Sequence, residues 1–414
     1  MPLTFCQGEV NYAAVKVMYD FNGVSSRPAT LAVGHSALIV AVGFLAIRVH
    51  RGIGEFQLTH YYFNYSDEFL RRGLIGEVLR QIGFSLSHLN VALLYSSAVA
   101  LFLLLLVLAC ARVFARLPAH IGSLFVVFML ACPGLTLHYA YSSYGYLDIF
   151  QLLLAASGLL AIYLSPLPLA LAVAVTLAIS SMLIHEAGLM ITTPVLIAAL
   201  MLKFGDRFAL PKAALMFAGL VAVAILIWRH GSADTMTYED HIGALTSAAG
   251  STEAISDAAV IVLHRTLGDN IGLVLPRSPW WYAWQQVKFV IFAAPYLFFF
   301  VTSLMVVKAY LAPSGRSMAG LAMAAAIFAP VALYPIGHDY FRWWSAAMTN
   351  YFLLMLFFCS LYPGFLERLV ALMQRYRRVM LTGIAIGVSM GGIGGLVSFS
   401  VHTAPAAMVF RAVF

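Results

Sequence analysis

The chain has 414 residues, 62% of them hydrophobic and only 10% charged, with a formal net charge of +7. So little polar surface cannot cover a soluble globule, and a mean hydropathy of +0.90 makes lipid the solvent for most of the chain. The basic excess lies mainly in short flanks of apolar runs, where it orients spans in a membrane, so nucleic acid is not the expected partner.

Residues 1–29 read as a cytoplasmic N-terminal segment too polar for a signal peptide. The first apolar stretch has no small-residue cleavage site after it and is expected to be retained as a span. From there, apolar runs fall near 30–48, 89–111, 120–136, 146–164, 167–184, 188–202, 212–228, 287–307, 317–336, 345–361 and 379–401. A span needs about 20 apolar residues, so these runs predict an all-α polytopic transmembrane bundle of about eleven spans. It forms a single domain over 30–401, followed by a short outer tail, 402–414. With the N-terminus inside, Lys and Arg concentrate in the short inner loops, as at Arg112, Lys203, Arg207 and Lys212. Cys6, Cys110, Cys132 and Cys359 have no metal or disulfide spacing and read as packing residues.

Two outer loops, 49–88 and 229–286, are longer than connectors need to be, which marks them as functional or disordered. The second mixes a flexible-looking stretch, Ala244 to Thr252, with the aromatic cluster Trp280, Trp281, Tyr282 and Trp284. The first carries Arg48, Arg51, Arg71, Arg72 and Arg80 on the side where basic residues are disfavoured. Within it, Ser66 offers an N-cap and Asp67 and Glu68 suit a first helical turn. Helical phase puts Asp67, Glu68, Arg71 and Arg72 on the same arc as Leu70, Leu74, Ile75 and Val78, so these charges are expected to enter a protein cavity. Buried charge must be paired or serve a ligand, and arginine forks match phosphate oxygens. Gly73 and Gly76 would let a helix or lipid chain come close.

Further along, Tyr139, Tyr141, Tyr144, Tyr146 and Asp148 form an aromatic belt that either anchors the interface or stacks on carbohydrate. His185 and Glu186 interrupt an apolar stretch, where an ionisable pair is functional by default, although it can also cap a helix break. His338, Asp339 and Arg342 occupy a short outer connection beside Trp343 and Trp344. There Asp339 and Arg342 can neutralise each other, or Arg342 can face a lipid phosphate. All of these groups fall at outer helix ends under one topology. Mid-span charges are nearly absent and no internal repeat is visible, which weighs against a transporter. Neither HExxH spacing nor a Cys cluster is present, so no metal ligands are assigned.

The layout resembles the GT-C superfamily of membrane glycosyltransferases, which use polyprenyl-phosphate-linked sugars. In that superfamily a long first outer loop holds a juxtamembrane helix and a catalytic acid, and a second long outer loop follows the seventh span. The matching segments here are 49–88 and 229–286. The motifs Ser66 to Gly73, Ile184-His185-Glu186 and Gly337 to Trp343 also resemble patterns in bacterial membrane proteins linked with surface-polysaccharide synthesis. The resemblance implies a bacterial inner-membrane enzyme with a periplasmic site and a glycan or lipid-linked acceptor. It implies Asp67 as general base, with Glu68 second in line. Arg71, Arg72, Arg342 and His338 would then lie on the donor phosphate, and His185, Glu186, Asp148, Asp339, Tyr144 and Tyr146 on the acceptor. No cofactor is required, though several acids leave room for a divalent cation, Mg or Mn. Polysaccharide polymerases or ligases would need the same outer arginines, and a lipid-linked sugar flippase is the non-enzymatic alternative.

Overall fold

The computed structural model describes residues 32, 34–36, 39, 43, 45–46, 49–50, 52–66, 68–115, 117–135, 139, 143–233, 236–250, 255–265, 268–269, 279–334 and 340–389. Asp67, Tyr141, His338 and Asp339 lie outside them, as do the N-terminal segment, nearly all of the second half of the last apolar run and the tail 402–414.

Every regular element among the described residues is helical. In chain order they are α1 (Glu55–Tyr62), α2 (Leu74–Gln81), α3 (His88–Val113), α4 (Ala119–Leu130), α5 (Asp148–Leu164), α6 (Leu167–Ile184), α7 (Gly188–Ile191) and α8 (Thr193–Phe204). They continue as α9 (Leu210–His230), α10 (Tyr238–Ala249), α11 (Asp257–Leu263), α12 (Pro279–Leu311), α13 (Ser317–Phe328), α14 (Tyr340–Leu361), α15 (Phe365–Arg375) and α16 (Arg377–Ser389). Among the described residues six segments are long and apolar enough to cross a membrane: His88–Val113, Leu167–Ile184, Gly188–Phe208, Leu210–His230, Ala293–Ser314 and Tyr340–Leu361. The runs expected near 120–136, 146–164 and 317–336 hold shorter apolar helices.

Burial orders these helices from centre to rim. In α14 the most apolar window is 83% buried, and Ser345, Thr349 and Asn350 are fully enclosed. Ser345 and Thr349 satisfy their hydroxyls on the carbonyls one turn back, at 2.7 and 2.8 Å, so the centre tolerates them without a ligand. Only 17% of the equivalent window of α9 is buried, which puts that helix at the rim. Helices α5 and α6 form an antiparallel hairpin around Ser165 and Pro166. Proline fits the first turn of a helix without losing a hydrogen bond, so Pro166 and Pro168 mark where α6 starts.

The two long loops fold together. Leu58, Tyr61, Phe63, Leu70 and Leu79 of the first share a small second core with Leu245, Ala259, Val260 and Leu263 of the other. Ser256 N–H donates to Thr59 Oγ1 across the seam at 2.8 Å. Of the stretch that looks flexible in the sequence, Ala244 to Ala249 is instead the second half of α10. Thr237 caps its N-terminus by accepting from Asp240 N–H at 3.2 Å, Glu239 and Asp240 occupy the first turn, and Gly250 ends it with a left-handed φ of 70°.

Candidate active site

Four helix ends meet at one end of the bundle: the starts of α5 and α14 and the ends of α6 and α9. Between them lies a cavity of about 490 Å³, lined among others by His60, Arg72, Tyr146, His185, Glu186 and Arg342. The structure brings these residues together, although each arrives by a different route.

Arg72 arrives through a turn. The sequence predicts a helix capped by Ser66 here, but residues 63–66 and 68–73 are non-helical and Gly73 caps α2. Asn64 Oδ1 accepts from both the backbone N–H and the hydroxyl of Ser66, which removes that hydroxyl from capping. Arg71 N–H donates to Gly231 O at 2.8 Å and holds the turn against the end of α9. Arg72 then takes a φ of 68°, the only positive φ at a non-glycine among the described residues. That conformation costs about 1–3 kcal/mol and persists only where its surroundings hold it, an arrangement concentrated at functional sites. Gly76 is needed for a different reason than approach by a lipid: a Cβ there would fall 2.0 Å from Phe63 O, so α2 crosses directly over the backbone of 61–63.

His185 and Glu186 arrive through a break between α6 and α8. His185 is extended (φ −163°, ψ 131°), and α7 adds a single turn before Pro194 starts α8. Two carbonyls at the end of α6 gain a side-chain donor besides the backbone N–H groups of His185 and Gly188: Gln151 Nε2 donates to Ser181 O at 2.9 Å and His185 O at 2.6 Å. Ser181 Oγ donates to Thr192 Oγ1, Thr192 Oγ1 donates to Gln151 O, and Asn350 Nδ2 donates to Ile191 O at 3.0 Å. Gly188 packs where a Cβ would lie 2.7 Å from the Ser181 carbonyl. The interruption is thus built as firmly as a helix.

Two bidentate ion pairs dominate the site. Arg72 Nε donates to Glu186 Oε2 at 2.9 Å and Nη2 to Oε1 at 2.5 Å. Arg342 Nε donates to Asp148 Oδ2 at 2.8 Å and Nη2 to Oδ1 at 2.7 Å, while its guanidinium lies 4.4 Å over the Tyr146 ring. Burial would raise the carboxyl of Glu186, but the Arg72 guanidinium outweighs it and holds the group ionised well below the usual carboxylate range. Burial, reinforced by Arg72, lowers His60 to about 3 and His185 to about 4, so both rings are neutral at pH 7. Arginine only donates, so the 3.4 Å contact from Arg72 makes His60 Nε2 an acceptor and leaves Nδ1–H to donate to Phe56 O at 2.7 Å. In His185 the Ala187 N–H occupies Nδ1 at 3.1 Å, so the proton is on Nε2. Its 3.5 Å approach to Glu186 is then a neutral contact and no salt bridge.

Three candidates lie elsewhere. Arg71 is fully buried, and its Nη2 donates to the carbonyls of Val262, Leu263 and Arg265 while its guanidinium covers Trp228 at 4.3 Å. It ties the two loops together behind the cavity wall and is not placed on a donor phosphate. Tyr144 is packed against α3, where its hydroxyl donates to Ala92 O at 3.0 Å and accepts from Ser96, so it offers no stacking face. Glu68 lines a second cavity of about 610 Å³ with Asn64, Ser66, Arg80 and His241, apart from Arg72 and Arg342. Both cavities border α1, with Phe56 and His60 on one side and Tyr61 and Tyr62 on the other.

Among the described residues no group of three His, Cys, Asp or Glu side chains could hold a metal ion. Among the described residues Glu186 is the one carboxylate of the cavity lining and is already gripped by Arg72, so the described lining does not fit a divalent cation. The sequence alone gives no role to His60, Gln151, Trp228 or Arg229. His60 stands in the quoted loop motif, and Trp228 and Arg229 continue the helical spacing of Val221 and Ile225, signals that only the neighbouring charges make meaningful.

The chain matches no protein-family model, no curated protein and no solved structure.

Proposed function

We propose that the protein is an integral membrane glycosyltransferase that moves a sugar from a polyprenyl-phosphate donor to a glycan or lipid-linked acceptor. On this reading its site faces the outer, periplasmic side of a bacterial inner membrane. The observation that carries the proposal is the union, in one cavity, of guanidinium–carboxylate pairs with an apolar wall drawn from a rim helix. Arg72, Glu186, Arg342 and two neutral imidazoles supply the polar end, and Val221, Ala224, Ile225, Leu189 and Met190 supply the apolar one. A sugar phosphate on a long hydrocarbon chain has the same division.

The chemistry asks little of the protein. An acceptor hydroxyl attacks the anomeric carbon, its proton passes to a carboxylate, and the bond from that carbon to the phosphate oxygen breaks with inversion. Negative charge grows on the departing phosphate, where nearby guanidinium groups are most useful. Asp67, named by resemblance, remains the candidate base, and Glu186 is the carboxylate that the described part of the cavity lining presents. Glu68 is not proposed for that role, because it lines the other cavity.

The test is turnover of a panel of polyprenyl-phospho-sugars by the protein in lipid nanodiscs, read as released polyprenyl phosphate. Wild type should turn over at least one donor, and Asp67→Asn or Glu186→Gln should lower its rate about 100-fold or more, the usual scale for a lost acid–base group. Turnover at the wild-type rate by both variants would remove the general-base assignment, and failure of any donor to bind would remove the reading.

A further inference from the structure

We infer that Arg229 is the residue that takes the phosphate of the lipid-linked ligand, with the lipid chain lying along Val221, Ala224, Ile225 and Trp228 of α9. The inference rests on the reading of the cavity as a lipid-phosphate site and names the group within it that binds the anion.

Charge accounting selects it. Arg72 and Arg342 line the cavity, but each already has a forked pair of hydrogen bonds to a carboxylate, Glu186 and Asp148. An approaching anion meets two neutral pairs there and must break charge-assisted bonds to use either guanidinium. The two imidazoles carry no charge, and Arg71 is spent on backbone carbonyls behind the wall. Arg229 lines the same cavity, is exposed, and has no hydrogen-bond, ion-pair or ring partner among the described residues. Among the described residues of the lining it is the uncompensated positive charge.

Its place on the helix completes the case. Val221, Ala224, Ile225, Trp228 and Arg229 follow one another at helical spacing, so an apolar stripe about two turns long ends in a guanidinium. The helix that carries the stripe is at the rim, with Leu215, Ile225 and Leu226 each more than half exposed. A chain can therefore enter sideways from the bilayer and keep its hydrocarbon on the helix while its headgroup reaches the cavity. Trp228, held flat under Arg71, forms a rigid platform between the two. A basic residue at the end of a span is commonplace, because it reaches for the interface and suits the helix dipole. That accounts for a cation at the end of α9 but not for its position on the stripe that faces the cavity.

The experiment uses the full chain in nanodiscs of zwitterionic lipid and three probes: a sugar-free isoprenoid monophosphate, the matching neutral isoprenol, and inorganic phosphate. Wild type should bind the isoprenoid phosphate best. Arg229→Ala should weaken that binding about ten- to 100-fold, the scale of lost charge-assisted hydrogen bonds, and leave isoprenol binding unchanged. Arg229→Lys should recover part of the loss, and Ile225→Ser should weaken isoprenol and isoprenoid phosphate together. If Arg229→Ala binds isoprenoid phosphate like wild type, the inference is overturned while the lipid-phosphate reading survives. If wild type does not bind isoprenoid phosphate, both fall. Equal affinity for inorganic phosphate would overturn the role given to the α9 stripe.

Discussion

The two ends of the bundle handle positive charge in opposite ways. At the cavity end, Arg72 and Arg342 are held by carboxylates. At the other end, where α5, α8 and α14 finish, Lys203 Nζ donates to the carbonyls of Ile162, Tyr163 and Ser165 at 2.7–2.8 Å, and Arg316 donates to the Tyr362 hydroxyl, which donates to Leu202 O. Lysine on carbonyls is a cap: it satisfies acceptors left over at a helix end and adds a cation where the dipole favours one. A guanidinium on a carboxylate is a different device. Its charge is cancelled rather than spread, both partners remain charged species, and a ligand with a stronger claim can take one of them. The first arrangement closes an end and the second leaves an end addressable.

The largest effect should come from breaking a buried pair. Asp148→Ala leaves Arg342 enclosed without its forked acceptor, a change that typically costs about 3–5 kcal/mol. Reversible unfolding in mixed micelles should show it, and a loss below about 1 kcal/mol would mean that the pair is solvated and the contrast between the ends is mistaken.

Acidification comes next. His60 and His185 have folded values of about 3 and 4, below the unfolded value near 6.5. Between those limits the unfolded chain binds protons that the folded one does not, so stability falls as pH drops below about 6.5, by up to about 1.4 kcal/mol per pH unit for each ring. His185→Asn should flatten the slope measured between pH 6.5 and 4.5. An unchanged slope would place the sensitivity elsewhere.

At the opposite end, Lys203→Met should cost about 1–2 kcal/mol by leaving carbonyls uncapped, with no change in isoprenoid phosphate binding. A binding defect there would blur the distinction between a closed and an addressable end. The smallest effect should be Arg80→Ala. Its partner Glu77 also accepts from Gln81 and the Tyr65 N–H, and Arg80 itself is half exposed, so a change within about 0.5 kcal/mol is expected from thermal melting. A larger loss would show that surface pairs at the cavity end are as consequential as buried ones.

Much of the helical layout was legible along the chain because lipid makes a simple demand: long apolar runs become helices whatever their neighbours do. The run at 89–111 became α3, the Ser165-Pro166 turn divided α5 from α6, and the charged interruption at His185 and Glu186 ended a helix as expected. Helical phase failed where it was extended past the membrane. Periodicity places Asp67 to Arg72 on a helix face, yet the Asn64 side chain takes the Ser66 N–H, the Gly231 carbonyl takes the Arg71 N–H, and residues 68–72 are not helical. Neither competitor is visible in a periodicity, since one acts through a side chain and the other is 160 residues away.

Composition and apolar periodicity by themselves determined that this is a membrane-spanning helical protein and that its unusual charges gather near helix ends, because burying a helix in lipid is a local matter. Which charge meets which was decided only in three dimensions. Arg71 and Arg72 are adjacent and chemically identical, yet one secures two loops through carbonyls near residue 263 and the other enters a cavity to grip Glu186. That choice depends on a single left-handed residue and on partners distant in the chain, which one-dimensional spacing does not record.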